Sequence, residues 1–299
     1  MMIPLVPNAT AASRKDKGGF TQSWRRTLGS VTVMATTLIV GLIVPLAALA
    51  ASPQSLPAGD PGMVVEVVDG DTVVLDTGVE VRMVGIQAPK LPLGRRGFRS
   101  WPLAEEAKVT LESLVANRRL TPHFGGRQMD RHGRALAHLV SDGGIWLQGE
   151  MLRLGLARVY SFPDNTALVD EMLALEQSAR DARFGIWSHP FYALREADPA
   201  ELTSLVGTFQ LVEGRILDAA EVRGTVYLNH GKDWRTDYTT MIDRRSMKAF
   251  RAAGLDPATW SGTKVRVRGW LRSRNGPMIE ATHPQQIELL DEAVETERE

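Results

Sequence analysis

No cysteine occurs among the 299 residues. Its absence excludes disulfides, thiolate metal sites and cysteine nucleophiles together. A surplus of charge is missing too, since 35 lysines and arginines stand against 35 aspartates and glutamates. Non-specific grip on nucleic acid comes from clustered cations that neutralise phosphates, and no such excess marks the chain as a whole. No internal repeat is visible. The remaining composition, 43% hydrophobic and 23% charged, is that of folded protein rather than disordered chain. The length fits two modest domains.

The first fifty residues stand apart. Arg14, Lys15, Lys17, Arg25 and Arg26 precede an uncharged run over 28–50 that ends in Ala48-Leu49-Ala50. Those 23 residues reach the roughly 20 needed to cross a bilayer, while the A-x-A ending suits a signal-peptidase site. Residues 1–50 are therefore read as a signal peptide or a membrane anchor, with a buried helix as the third reading. In the first two cases the basic flank keeps the N-terminus in the cytoplasm and the body outside it. The expected location is periplasmic, secreted, or anchored to the cytoplasmic membrane by residues 28–50. Without this segment the body holds 30 basic and 34 acidic residues, a net charge of −4.

A Pro/Gly/Ala/Ser-rich linker is expected over 51–62, and short β runs follow at 63–68, 72–75 and 80–84. Apolar Leu103, Ala107, Leu111, Leu114 and Val115 sit near helical spacing and predict a helix over 102–117. Strands over 120–124 and 134–140 and helices over 147–155 and 167–182 complete a first domain at 63–190. Five strands with interleaved helices fit an OB-type barrel. A charge-mixed linker is expected over 191–206. Beyond it, strands over 209–217, 225–229, 237–242, 264–270 and 278–282, with a helix over 244–253, predict a second OB-like domain at 207–290. Residues 265–271 alternate with Arg266 and Arg268 on one face, and Asn275-Gly276 is a hairpin turn. An acidic tail covers 291–299. The fold class is mainly β with helices: two OB-type barrels after a hydrophobic leader.

The chemistry concentrates in three short segments. Asp69-Gly70-Asp71 turns between two β runs. Arg82 lies in the next strand, followed by Gln87-Ala88-Pro89-Lys90, and Asp130-Arg131-His132-Gly133-Arg134 precedes a later strand. With the Gly185-Ile186-Trp187 close, this layout resembles the staphylococcal nuclease (thermonuclease) family over 63–187. The resemblance implies phosphodiester cleavage with Ca²⁺, nucleic acid as partner and substrate, Asp71 (assisted by Asp69) at the metal, and Arg82 and Arg134 on the phosphate. Arginine suits that role because its planar fork donates paired hydrogen bonds and stays charged.

Two positions depart from the family pattern. Gln87 stands where the family has a metal-ligand carboxylate, and Lys90 where it has the general base. Ca²⁺ requires several anionic oxygens, and a charged lysine is no base. The cation site is therefore expected to be degraded, with Lys90 replacing the metal beside Asp71. Asp71, Arg82 and Arg134 should converge on one cleft with Gln87 and Lys90 at its rim, and Gln87→Asp with Lys90→Glu should restore Ca²⁺-stimulated cleavage.

Three functions fit this pattern: a module that binds nucleic acid or another phosphodiester polymer without efficient cleavage, an active phosphodiesterase with a rearranged base (His132, Glu105 or Glu106), or a cell-envelope interaction protein. The Arg95, Arg96 and Arg99 loop is read as solvated, and Trp101, Trp146 and Trp187 as core.

Overall fold

Alternating valines in 62–75, a hairpin turn and a third apolar run build the first three strands. In the computed structural model, which describes residues 51–290, these are β1 (Gly62–Asp69), β2 (Thr72–Leu75) and β3 (Glu80–Met83). The expected signal peptide or anchor and the acidic tail lie outside the described residues. Among the described residues, no helix is long and apolar enough to cross a membrane.

Next come β4 (Gly85–Gln87), α1 (Ala104–Val115), β5 (Arg119–His123), β6 (Ala135–Ser141), α2 (Leu147–Arg153), β7 (Arg158–Tyr160) and α3 (Val169–Asp181). The order β1-β2-β3-β6-β5 closes into a barrel, sealed by antiparallel Gly62↔Leu120 and Met63↔Arg119. Val73, Val81, Met83, Leu120 and Leu139 fill it, and α1 covers it with Ala107, Leu111 and Val115. Their spacing of three or four residues places them on one helix face.

Gly85 decides what happens after β3. Its φ of 83° lies in the left-handed region that favours glycine, and a Cβ there would run into Met172. The chain turns off the barrel at this point, and β4 pairs with β7 instead. Gln87 is thereby carried away from the barrel wall.

The stretch 191–206, expected as a linker, contributes β8 (Arg195–Glu196) and α4 (Pro199–Ser204), and Leu202 is buried in the second core. Then follow β9 (Phe209–Arg215), β10 (Asp218–Val222), β11 (Thr225–Asn229), β12 (Thr239–Ile242), α5 (Met247–Ala252), β13 (Lys264–Ser273), β14 (Pro277–Glu280) and β15 (Ile287–Leu290). The single strand expected over 209–217 bends at buried Ile216 and continues as β10. Hydrogen-bonded neighbours run β10-β11-β12-β14-β13-β9-β8, with β15 beside β13. β9 and β10 are two halves of one bent segment, so the run from β10 to β9 follows the strand order of an OB-type barrel, although its pairings form an eight-stranded sheet rather than a closed ring.

Both sheet systems fall in one compact unit, joined by the alternating strand β13. Val265 and Val267 point into the second core. Arg266 and Arg268, on the opposite face, are buried instead of solvated. The Arg268 guanidinium donates to Glu176 of α3 at 2.7 and 3.1 Å and to the Val159 carbonyl at 3.3 Å. Burial opposes its charge, but Glu176 and Glu288 hold Arg268 above its ordinary pKa.

Candidate phosphate and cation site

The β1–β2 turn brings two carboxylates under α1. Gly70 is needed there, because a Cβ would lie 2.7 Å from that of Ala88 and 2.8 Å from that of Ala107. Asp71 is fully buried. Lys90 Nζ donates to its two carboxylate oxygens at 2.7 and 2.6 Å, Arg82 Nε lies 3.3 Å away, and the Ala88 N–H donates at 2.7 Å. Lys90 also donates to Asp69 at 3.1 Å, and Asp69 accepts the Asp71 N–H. Burial raises the Asp71 pKa, but Arg82 and then Lys90 outweigh it and hold that carboxyl well below the usual range. Asp69 is pushed up by burial and by the Asp71 charge. Two carboxylates and two cations make a neutral, closed cluster.

This donor set does not fit Ca²⁺. The ion takes six to eight oxygens at about 2.3–2.6 Å, whereas here an ammonium lies between the two acids at hydrogen-bond distance from three of their oxygens. Among the described residues, no three His, Asp or Glu side chains form a group that could hold a metal ion.

Arg82 looks both ways. Besides Asp71, its guanidinium donates to the carbonyls of Met83 and Ile86, the latter at 2.6 Å. It also lines a cleft of about 520 Å³ together with Arg134, Arg131 and Arg127. Arg134 is held by Asp130, with Nε and one terminal nitrogen 2.8 and 2.7 Å from a single carboxylate oxygen. Burial opposes the Asp130 charge, yet hydrogen bonds from Arg134 and His132 keep its pKa below normal. Arg82 and Arg134 thus meet at one cleft, while Asp71, Asp69 and Lys90 sit behind Arg82 and do not line it.

Gln87 is not at the rim. Its side chain is buried and accepts from Arg158 Nε and a terminal nitrogen at 3.1 and 2.8 Å. Arg158 then donates to the Phe209 carbonyl at 3.1 Å. Burial pulls that guanidinium down to about 10, and the Phe209 ring lies 4.5 Å from it.

None of the alternative bases donates to or accepts from Asp69, Asp71 or Lys90 in the bonds of that cluster. Glu105 and Glu106 are exposed on the first turn of α1. His132 is exposed, with its Nε2 3.1 Å from Arg131 Nε. Arg95 folds onto its own loop, donating to Pro92 and stacking on Phe98 at 3.8 Å. Sequence reasoning missed Arg127, Tyr160 and Phe162 in the cleft. The signal was an aromatic pair two residues apart, Tyr160 closing β7 and Phe162 just beyond it. The two rings meet edge to face at 4.8 Å.

A family model described as staphylococcal nuclease homologue matches residues 80–189. An uncharacterized endonuclease of Escherichia coli O157:H7 is 31% identical over 141 residues, 46% of this chain and 79% of the relative. Protein ParB of Escherichia coli is 34% identical over 146 residues, 43% of this chain and 73% of ParB. The thermonuclease of Staphylococcus hyicus is 25% identical over 134 residues, 42% of this chain and 75% of that enzyme.

Proposed function

The chain belongs to the staphylococcal nuclease homologues, and from that premise we propose that it binds nucleic acid or another phosphodiester polymer in the Arg82–Arg134 cleft, outside the cytoplasm, with metal-dependent cleavage weak or lost. The position of Lys90 carries this reading. Its ammonium supplies the positive charge that the Asp69–Asp71 pair needs, and it leaves those acids no open side toward a cation. At the general-base position it also puts a proton donor in place of an acceptor, and loss of a general base costs on the order of 10²–10⁴ in rate.

The cleft supports phosphate binding on its own. Four arginines line it against Asp130 and Asp164, a local surplus of two charges on a net-acidic body. Contact with two phosphates corresponds to a slope of log K against log salt of roughly −1.4 for a single strand, so binding should be weak and salt-sensitive. Tyr160 and half-exposed Phe162 offer ring faces to unstacked bases. The basic and apolar segment at 1–50 supports export or tethering, and a periplasmic reporter fused after Leu56 tests that part separately.

The deciding experiment titrates labelled single-stranded DNA and RNA with the chain from residue 51 onward, in EDTA and in Ca²⁺, while following product. Equal salt-sensitive binding in both, weakened by Arg134→Ala with Arg131→Ala, is expected. Ca²⁺-dependent turnover abolished by EDTA would replace this reading with that of an active, rearranged nuclease.

A further inference from the structure

We propose that the outward face of the second barrel is a binding site for an uncharged sugar unit of a glycan, with Trp234 as its stacking platform. On β10, β11, β12 and β14 the inward residues Ala219, Val226, Leu228, Ile242 and Ile279 pack into the core. The alternate residues should then be polar, as on any solvated sheet face, but one row of them is largely apolar. Register places Ala220, Tyr227 and Met241 side by side across three strands. Val222 is 54% exposed.

A second row crosses the same face. Asp218, Asn229, Thr239 and Met278 are successive register partners. Thr239 donates to the Asn229 amide oxygen at 3.3 Å, and the Asn229 amide nitrogen lies 3.4 Å from Asp218. Asn229 and Thr239 are buried, and exposed Asp218 presents its carboxylate as a hydrogen-bond acceptor for a ligand. Apart from buried Met241, these two rows line a cleft of about 310 Å³ together with Trp234 and with Arg274 and Asn275 of the β13–β14 turn.

Trp234 is 50% exposed on the loop between β11 and β12. Arg235 stacks over its ring at 4.6 Å, which steadies the indole as a platform. An apolar ring face beside a hydrogen-bonding carboxylate matches a pyranose, whose C–H face is apolar and whose edge carries hydroxyls. Charge selects between the ligands that OB-type faces take, oligonucleotides and oligosaccharides. A nucleic-acid strand needs a basic groove along its backbone. The lining here holds one acid, Asp218, and one base, Arg274, and the Arg235 charge on the Trp234 ring is offset by Asp233 at 3.7 Å, so the local net is zero. That favours the neutral ligand.

The test follows tryptophan fluorescence and binding heat of the chain from residue 51 onward with cellohexaose, maltohexaose and chitohexaose, beside a thymidine decamer. At least one hexasaccharide should bind saturably at micromolar to millimolar concentration. Trp234→Ala should weaken it at least tenfold and Asp218→Asn severalfold, with melting temperature unchanged because both side chains are exposed. Saturable binding of none of the sugars overturns the proposal, as does decamer binding that Trp234→Ala abolishes. Neither result bears on the Arg82–Arg134 cleft, which Arg134→Ala tests independently.

Discussion

The ammonium of Lys90 lies 2.7 and 2.6 Å from the two carboxylate oxygens of Asp71, in the middle of a buried acid pair. One substitution changes two functions of the cluster together. It supplies the missing positive charge, and it turns the group nearest the Asp69–Asp71 pair from an acceptor into a donor.

Lys90→Met should leave Asp69 and Asp71 with Arg82 alone. Breaking a buried ion pair by removing one partner costs about 3–5 kcal/mol, and the partial exposure of Lys90 puts the loss near the lower end. Millimolar Ca²⁺ should restore part of it in the variant and leave the parent's melting temperature unchanged. Scanning calorimetry with Ca²⁺ and with EDTA checks both. A parent chain stabilised by Ca²⁺ would show that Lys90 yields its position to a metal.

The Arg268–Glu176 contact should make the two barrels unfold as one. Both side chains are essentially inaccessible, so Glu176→Gln leaves Arg268 with Glu288 and should cost about 3–5 kcal/mol. Urea unfolding followed by tryptophan fluorescence and by far-ultraviolet circular dichroism should give one coincident transition in the parent. Two separated transitions in the parent would mean that the interface contributes little.

Local pattern made the first barrel readable. Val73, Val81 and Met83 alternate, and α1 repeats its apolar residues at helical spacing, so strand, helix and turn agree with one another. The Asp-Gly-Asp turn and Lys90 were legible as neighbours because short connections return the chain to the same place. Contacts made across the molecule were not. Arg266 and Arg268 share a face by alternation, but alternation cannot say that α3 covers that face. Gln87 meets Arg158 only because Gly85 turns β4 off the barrel, and nothing local to Gln87 announces a partner 71 residues away. The bend at Ile216 was equally hidden, since apolar Ile216 and Leu217 extend the strand pattern past it.

Acid should weaken the fold well before its carboxylates titrate. Burial lowers His138, His230 and His283 from 6.5 to about 4, with the Arg268 charge adding to the effect at His283. The unfolded chain therefore takes up protons below 6.5 while the folded one refuses them until about 4. Stability from this source is complete above 6.5 and is lost as pH falls toward about 4, each histidine being worth on the order of 3 kcal/mol. Urea midpoints measured from neutral pH down to mildly acidic pH should fall steadily, and His283→Gln should flatten part of that slope. A flat profile through this window would show the histidines to be accessible in the folded chain.

Restoring a carboxylate at position 87 should not restore a cation site, contrary to what the family pattern alone implies. The Gln87 side chain points at Arg158 and accepts two hydrogen bonds from it, and Arg158 is itself fixed by the Phe209 carbonyl. A carboxylate introduced there meets a buried guanidinium before it meets any cation shared with Asp71, and the new ion pair gains from the low local dielectric. Lys90→Glu alone should therefore bind Ca²⁺ as well as the Gln87→Asp, Lys90→Glu double variant does, and Gln87→Asp alone should show no Ca²⁺ response. Ca²⁺ titrations of all three by calorimetry, with melting temperatures as the control for folding, decide the matter. A double variant that binds Ca²⁺ at least tenfold more tightly than Lys90→Glu would mean that β4 can rotate its side chain away from Arg158, and the interface between the barrels would then be looser than its buried arginines imply.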